Sequence, residues 1–145
     1  MDLLSSLRVS SSGLAAQRKR MESHSSNIAN AQTTRTAEGG PYRKKEVVFG
    51  SEPTRERFSE ILEGELDEHS QTVQATEVVH TDKVVLKYDP THPDANQEGY
   101  VAMPDINVMS EMANMIEAQR AYEANVTAIN TAKQMATKTL EIGRN

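Results

Sequence analysis

Leu7, Leu14, Met21 and Ile28 recur at seven-residue intervals near the start of the chain, with Leu3 and Leu4 leading in. A helix brings residues seven apart to one side, and a repeat of seven favours packing against a second helix. The positions midway between them, Ser10, Gln17 and His24, are polar, so the apolar stripe is narrow. Ser11, Ser12, Gly13, Ala15 and Ala16 are small and allow a neighbour to approach closely. Five serines precede Gly13, so helix propensity is poor. Residues 2–30 are therefore expected to be weakly helical or disordered until the stripe is covered. Asp2 is placed to cap this helix.

A second heptad series closes the chain. Val108, Met115, Tyr122, Ile129 and Ala136 are spaced by seven, and Met112, Val126 and Leu140 form an adjacent series interrupted by Gln119 and Lys133. With Asp105 or Asn107 as cap after Pro104, and no Gly or Pro before Gly143, the pattern predicts one helix over residues 106–143. Such a helix is about 50–55 Å long. A small domain cannot cover that length, so the stripe calls for residues 2–30 or for helices of other copies.

The segment between follows a different pattern. Thr33, Thr34, Thr36, Gly39, Gly40 and Pro41 form a turn-rich linker. Glu46 to Phe49 reads as a short strand, and Phe58, Ile61, Leu62 and Leu66 as a short helix over 54–66. Residues 72–88, rich in Val and Thr, read as two strands turning at His80 to Lys83. Asp89, Pro90, Pro93 and Gly99 mark an extended loop. The expected fold is mainly α with a small β insertion. Residues 1–30 and 106–145 form a coiled-coil-like helical core, and 31–105 form the linker and a β-rich middle.

Composition sharpens this. Apolar residues make up 37% of 145, and six are aromatic. That is a thin supply for a self-sufficient core, so surface is expected to be buried against other chains. The net charge of −5 is unevenly spread: residues 1–45 carry eight Lys/Arg and three Asp/Glu, residues 46–105 carry four and fourteen, and residues 106–145 carry four of each. A basic first third beside an acidic middle suits contact between neighbouring copies. The chain has no cysteine, which excludes disulfides and thiolate metal sites. No apolar run is long enough to span a bilayer, and the start has neither the basic nor the apolar region of a secretory signal.

Enzymatic and ligand chemistry find little support. His24, His69, His80 and His92 are never three or four apart, so no helical zinc arrangement arises. Asp94, Asn96, Glu98, Gly99 and Asp105 fall at calcium-loop positions, but Pro90 and Pro93 forbid an entering helix, and the last ligand is Asp rather than Glu. No nucleophile elbow or phosphate-cradling glycine pattern is present. The basic runs 18–20 and 43–45 lack interleaved aromatics within an acidic chain, which argues against nucleic acid. Four of seven methionines lie on the C-terminal helix and read as packing residues. Neither cofactor nor catalysis is expected.

Two motifs narrow the reading. Ser26, Asn27, Ile28, Ala29 and Asn30, preceded by Ser12, Gly13 and Leu14 and followed by Thr33 and Thr34, resemble the N-terminal signature of the flagellar rod, hook and hook-junction proteins. Ala118, Gln119, Arg120, Ala121, Tyr122, Glu123, Ala124 and Asn125 resemble that family's C-terminal signature. Residues 33–43, 88–93 and 99–108 are further similar to proximal-rod members, whereas 50–72 carry no such likeness and Ala37 replaces a proline common in relatives. The resemblance implies a self-assembling structural subunit that joins its terminal helices into a tube crossing the periplasm and transmits torque. It implies export by the flagellar type III apparatus without a cleaved signal. The implied partners are other copies, the rod proteins FlgB, FlgF and FlgG, the basal-body base and the export apparatus, without nucleic acid or membrane insertion. Leu7, Leu14, Met21, Ile28, Met112, Met115, Tyr122, Val126, Ile129 and Leu140 are the expected packing positions. Asn27 and Asn30 are expected to bind main-chain groups where the first helix ends. Without the motifs, the stripes fit a soluble helical adaptor or export chaperone equally well.

Overall fold

A computed structural model describes residues 3–53, 71–79 and 84–143. Its frame is two helices, α1 (Leu3–Ala29) and α2 (Val108–Ile142), with β1 (Lys45–Pro53), β2 (Gln71–Val79), β3 (Val84–Tyr88) and β4 (Tyr100–Pro104) between them. Asn107 caps α2, its side chain accepting from the Ser110 amide, which settles the choice between Asn107 and Asp105. Asp2, the helix expected over 54–66 and the turn at His80 to Lys83 lie outside the described residues.

The helices run antiparallel: His24 meets Glu111, and Gly13 meets Asn125. Gly13 allows a close approach at that crossing: a Cβ there would lie 3.2 Å from the Asn125 amide nitrogen, so that side chain would have to give way slightly. The α1 seam uses Leu7, Ser10, Leu14, Gln17, Met21, His24 and Ile28, each buried or half-buried. The α2 seam runs Glu111, Met115, Ala118, Tyr122, Asn125, Ile129, Ala132, Ala136, alternating steps of four and three. Met112 and Leu140 are exposed, while Val126 is half-buried. From the Gly13–Asn125 crossing, Leu140 lies about 22 Å along α2, whereas Leu3 lies only about 15 Å along α1. The last two turns of α2 therefore extend past Leu3, the first residue of α1.

A second face of α1, with buried Ala16, Ser23 and Asn27, carries the β1–β2 pair. Ser23 Oγ donates to the Lys45 carbonyl at 3.1 Å, Lys19 Nζ to the Ala75 carbonyl at 3.0 Å, and the Val73 amide to Ser12 Oγ at 3.1 Å. The Arg20 guanidinium lies 5.7 Å over the Phe49 ring. α1 thus separates two layers, α2 on one side and the hairpin on the other.

Strand pairing corrects the sequence reading. The two Val/Thr-rich strands exist but do not pair with each other: β2 pairs antiparallel with β1, with Phe49 opposite Ala75, and β3 pairs with β4, with Tyr88 opposite Tyr100. α1 decides this, because its hairpin face takes the main chain of β1 and β2 together. The stretch expected as an extended loop therefore ends in a strand, β4, and the loop shrinks to residues 89–99. Gly99, at φ +82°, packs so tightly that a Cβ would lie 2.9 Å from the Tyr88 ring. The Tyr88 and Tyr100 rings then meet edge to face, centroids 5.3 Å apart. Asn96, a candidate calcium ligand, accepts the Glu98 and Tyr100 amides on its side-chain Oδ1.

Candidate functional site

The deepest part of the molecule is polar. Glu111 is 1% exposed and Asn27 fully buried, where the end of α1, the start of β1 and the first turn of α2 converge. Asn27 Nδ2 donates to the Lys45 carbonyl at 2.7 Å and to Glu111 Oε2 at 3.1 Å. Its Oδ1 accepts the Lys45 amide at 2.9 Å and the Tyr42 hydroxyl at 3.2 Å. All four hydrogen-bonding positions of the amide are filled, and Asn27 extends β1's main-chain pairing by one side chain. Ser26 Oγ lies 3.0 Å from the Tyr42 hydroxyl, and Asn30 Nδ2 donates to the Ser26 carbonyl at 2.9 Å. The expectation for the two asparagines thus finds its partners at Lys45 for Asn27 and within the last turn of α1 for Asn30.

Glu111 gathers the cluster. His24 Nδ1 donates to its Oε2 at 2.6 Å, and Lys44 Nζ bridges to its Oε1 at 2.9 Å. Burial is the largest influence on this carboxyl and pushes its pKa up. The hydrogen bonds from His24, Asn27 and Lys44, with the Lys44 charge, outweigh it and hold the carboxyl below its ordinary value. Glu111 is therefore a buried anion whose acceptors are spoken for, and it ties three elements at one point. His24 Nε2 and Gln17 Oε1 are buried without a hydrogen-bond partner among the described residues.

The motif residues divide in two. Tyr122 and Asn125 lie on the helix seam, and Ala121 is half-buried beside it, while Gln119 and Arg120 are exposed, with Gln119 Nε2 donating to Glu123 at 3.0 Å. Ser26, Asn27 and Asn30 belong to the polar cluster, Ile28 to the seam, and Ala29 is exposed. Glu111 and Tyr42 were not anticipated as partners of Asn27, nor Lys44 as a partner of Glu111. The available signal was register: Glu111 precedes Ala118 and Asn125 by one and two heptads, one residue before the Met112 series.

Apolar side chains show the reverse distribution. Among the described residues, prolines aside, Ala16, Val101 and Ala118 are the buried apolar residues, whereas fourteen large hydrophobic residues are exposed. A joint tied by buried polar groups, with uncovered apolar stripes on both sides, is the form of a subunit that is completed by neighbours.

The chain is similar to known proteins over nearly its whole length. The family described as Flagella basal body rod protein matches residues 7–35, and that described as Flagellar basal body rod FlgEFG protein C-terminal matches residues 97–142. The flagellar basal-body rod protein FlgC of Bacillus subtilis is 43% identical, covering 99% of this chain and 100% of its own. FlgC of Borreliella burgdorferi is 41% identical with 98% of each chain covered, and FlgC of Salmonella typhimurium 37% identical over 99% and 100%. The chain belongs to the FlgC family. FlgC-family chains are structural, non-enzymatic subunits of the flagellar basal-body rod. The two matched regions coincide with α1 and its following turn, and with β4 and α2. The polar cluster therefore joins the FlgC family's two terminal regions through Asn27 and Glu111. Among the described residues, no helix is long and apolar enough to cross a membrane.

Proposed function

We propose that this FlgC-family subunit builds the proximal rod by adding its terminal helices, residues 1–30 and 106–145, to a tubular core, with residues 31–105 outside that core. The observation that carries the reading is the surplus of uncovered apolar residues: among the described residues, prolines aside, fourteen large hydrophobic residues are exposed against three buried apolar ones. Each Leu, Ile or Met newly covered at a neighbour contributes about 1.5–3 kcal/mol. Four or five such residues per helix offset the entropy of ordering a terminus, which couples ordering to addition at the growing end. The neighbours in this reading are other copies, FlgB, FlgF, FlgG and the basal-body base. The subunit reaches the periplasm through the flagellar type III apparatus and passes torque along the tube. Leu7, Leu14, Met21, Ile28, Met115, Tyr122, Val126 and Ile129 hold the helix pair together, and Met112 and Leu140 are left for other subunits.

Leu14→Asp and Ile129→Asp test the reading. Both are expected to abolish swimming and rod incorporation while secretion of the subunit continues. Normal swimming by both variants would sink the packing argument. Deleting the gene should remove rod, hook and filament together; hooks formed without it would rule out a proximal position.

A further inference from the structure

Each described sheet has only two strands, and an isolated pair of strands is marginal in water. Alternate residues of an antiparallel strand turn both N–H and C=O away from the partner, so each outer edge needs something to bond. Two of these edges are closed from within the chain. On β2 the Val73 amide and the Ala75 carbonyl point outward and are taken by Ser12 Oγ and Lys19 Nζ. On β4 the Tyr100 amide donates to the Asn96 side chain, the Tyr100 carbonyl accepts the Asn96 amide, and Pro104 has no N–H to offer.

The other two edges are open. Lys45 turns its amide and carbonyl outward from β1, to Asn27, so Val47, Phe49 and Ser51 turn theirs the same way. Tyr88 lies opposite Tyr100 and so turns outward on β3, together with Leu86 and Val84. Among the described residues, no group bonds the outward main chain of these six, and β3 packs on no element but β4. The open runs also match in length. Asn27 closes the β1 run at Lys45, and Pro53, which lacks an N–H, ends it on the other side. Val47, Phe49 and Ser51 remain, against Val84, Leu86 and Tyr88 on β3.

We propose that the open edge of β1 takes the open edge of β3 from a second copy of this chain, antiparallel, with Phe49 opposite Leu86. Val47 then lies opposite Tyr88 and Ser51 opposite Val84, and the three pairs exchange about six main-chain hydrogen bonds. Leu86 and Tyr88, 64% and 65% exposed in the single chain, gain Phe49 and Val47 as cross-strand neighbours. The product is a four-stranded sheet, β2–β1 from one subunit and β3–β4 from the next. Both edges lie between the regions matched to the wider rod families, residues 7–35 and 97–142, so the contact is one between copies of this chain. Joining two unlike edges leaves one of each free after every addition, so the contact propagates instead of closing on itself. The inference rests on the rod-subunit reading and adds to it a contact outside the terminal helices.

The chain has no cysteine, so paired cysteine variants of the full chain test the contact. In the proposed register Val48 faces Lys87 in a pair that exchanges no main-chain bonds, which brings the two backbones close enough for a disulfide. β1 and β3 of one chain do not touch, so any such bond joins two copies. Basal bodies carrying Val48→Cys/Lys87→Cys are purified from swimming cells, oxidised and run on a non-reducing gel. Linked multimers of the subunit are expected, with positions 48 and 87 joined in the mass spectrum. The pair Val48→Cys/Leu86→Cys puts its thiols on opposite faces of the sheet and should stay monomeric. Monomer alone from incorporated Val48→Cys/Lys87→Cys, or equal linkage by both pairs, overturns the contact. In a second arm, Leu86→Pro removes an outward N–H that β4 does not use, and Leu86→Thr keeps it. With the circular dichroism of both unchanged, recovery of Leu86→Pro in basal bodies should fall at least tenfold below that of Leu86→Thr. Equal recovery of Leu86→Pro and the parent overturns the contact as well. Absence of the parent chain from purified basal bodies would instead remove the rod reading itself, so the two failures are distinguishable.

Discussion

At the scale of residues, Asn27 and Glu111 form one hydrogen-bonded unit, and their substitutions should not add. Glu111→Gln keeps the size of the side chain but turns an amide NH2 toward donors on His24 and Asn27 or on Lys44. Lys44 is a third exposed and regains water, so the expected loss is about 1–3 kcal/mol, measured by denaturant unfolding of the purified chain. Asn27→Asp is worse, because it removes both donations and sets a second carboxylate against Glu111. About 3–5 kcal/mol is expected, as for a buried charge left without its partner. In the double variant the amide introduced at position 111 can donate to the carboxylate introduced at position 27. The double should therefore be more stable than Asn27→Asp alone; simple additivity would contradict a shared unit. The same carboxyl of Glu111 fixes a pH dependence. Its pKa is depressed in the folded chain, so its contribution is complete above the ordinary value of 4.5 and is lost as pH falls through the lower folded value. Unfolding curves between pH 7 and pH 2 should show this acid limb in the parent and a shallower one in Glu111→Gln.

At the scale of elements, the Gly13–Asn125 crossing fixes how close α1 and α2 lie. Gly13→Ala gains about 1 kcal/mol of helix propensity but brings its Cβ to 3.2 Å from the Asn125 amide, so the single change should be near neutral. Adding Asn125→Ala removes the contact and should release a net stabilisation of about 1 kcal/mol, read from the thermal midpoint. Gly13→Leu, with no room at the seam, should lower that midpoint. The helices were legible because heptads at Leu7 to Ile28 and Met115 to Ala136 are local patterns that a single chain carries by itself. The pairing of strands was not, since residues 72–88 look like a hairpin until the hairpin face of α1 is known to bind β1 and β2 together. β4 was hidden by Pro104 and by the loop before it. Of the site, Asn27 and Asn30 stood out as polar residues at a helix end next to a turn. Glu111 did not, because an acidic residue in the first turn of a helix normally reads as a solvent-facing partner of the helix dipole. Only its register with Ala118 and Asn125 separates a seam position from a surface one.

At the scale of the whole molecule, order is concentrated at one end of the helix pair. Of the buried residues described in the two helices, Ser23, His24 and Asn27 lie toward the end of α1 and Glu111 and Ala118 toward the beginning of α2, with Ala16 at the middle of α1. Toward the start of α1 and beyond Ile129, seam residues are at most half-buried and Leu140 is fully outside the reach of α1. Opening free energy follows local burial, so the helix pair should loosen progressively away from the polar cluster. Native-state hydrogen exchange followed by mass spectrometry on the full purified chain measures this. Amides of residues 20–30 and 108–118 should be the slowest in the two helices, and those of residues 6–12 and 130–142 the fastest. Loosened ends are also the condition under which apolar seam residues become available to a neighbour, whereas a tightly zipped pair would hold them. Uniform protection along both helices would mean that the heptad seam alone carries the pair, and would remove the link between an uncovered chain end and its ordering on addition to the rod.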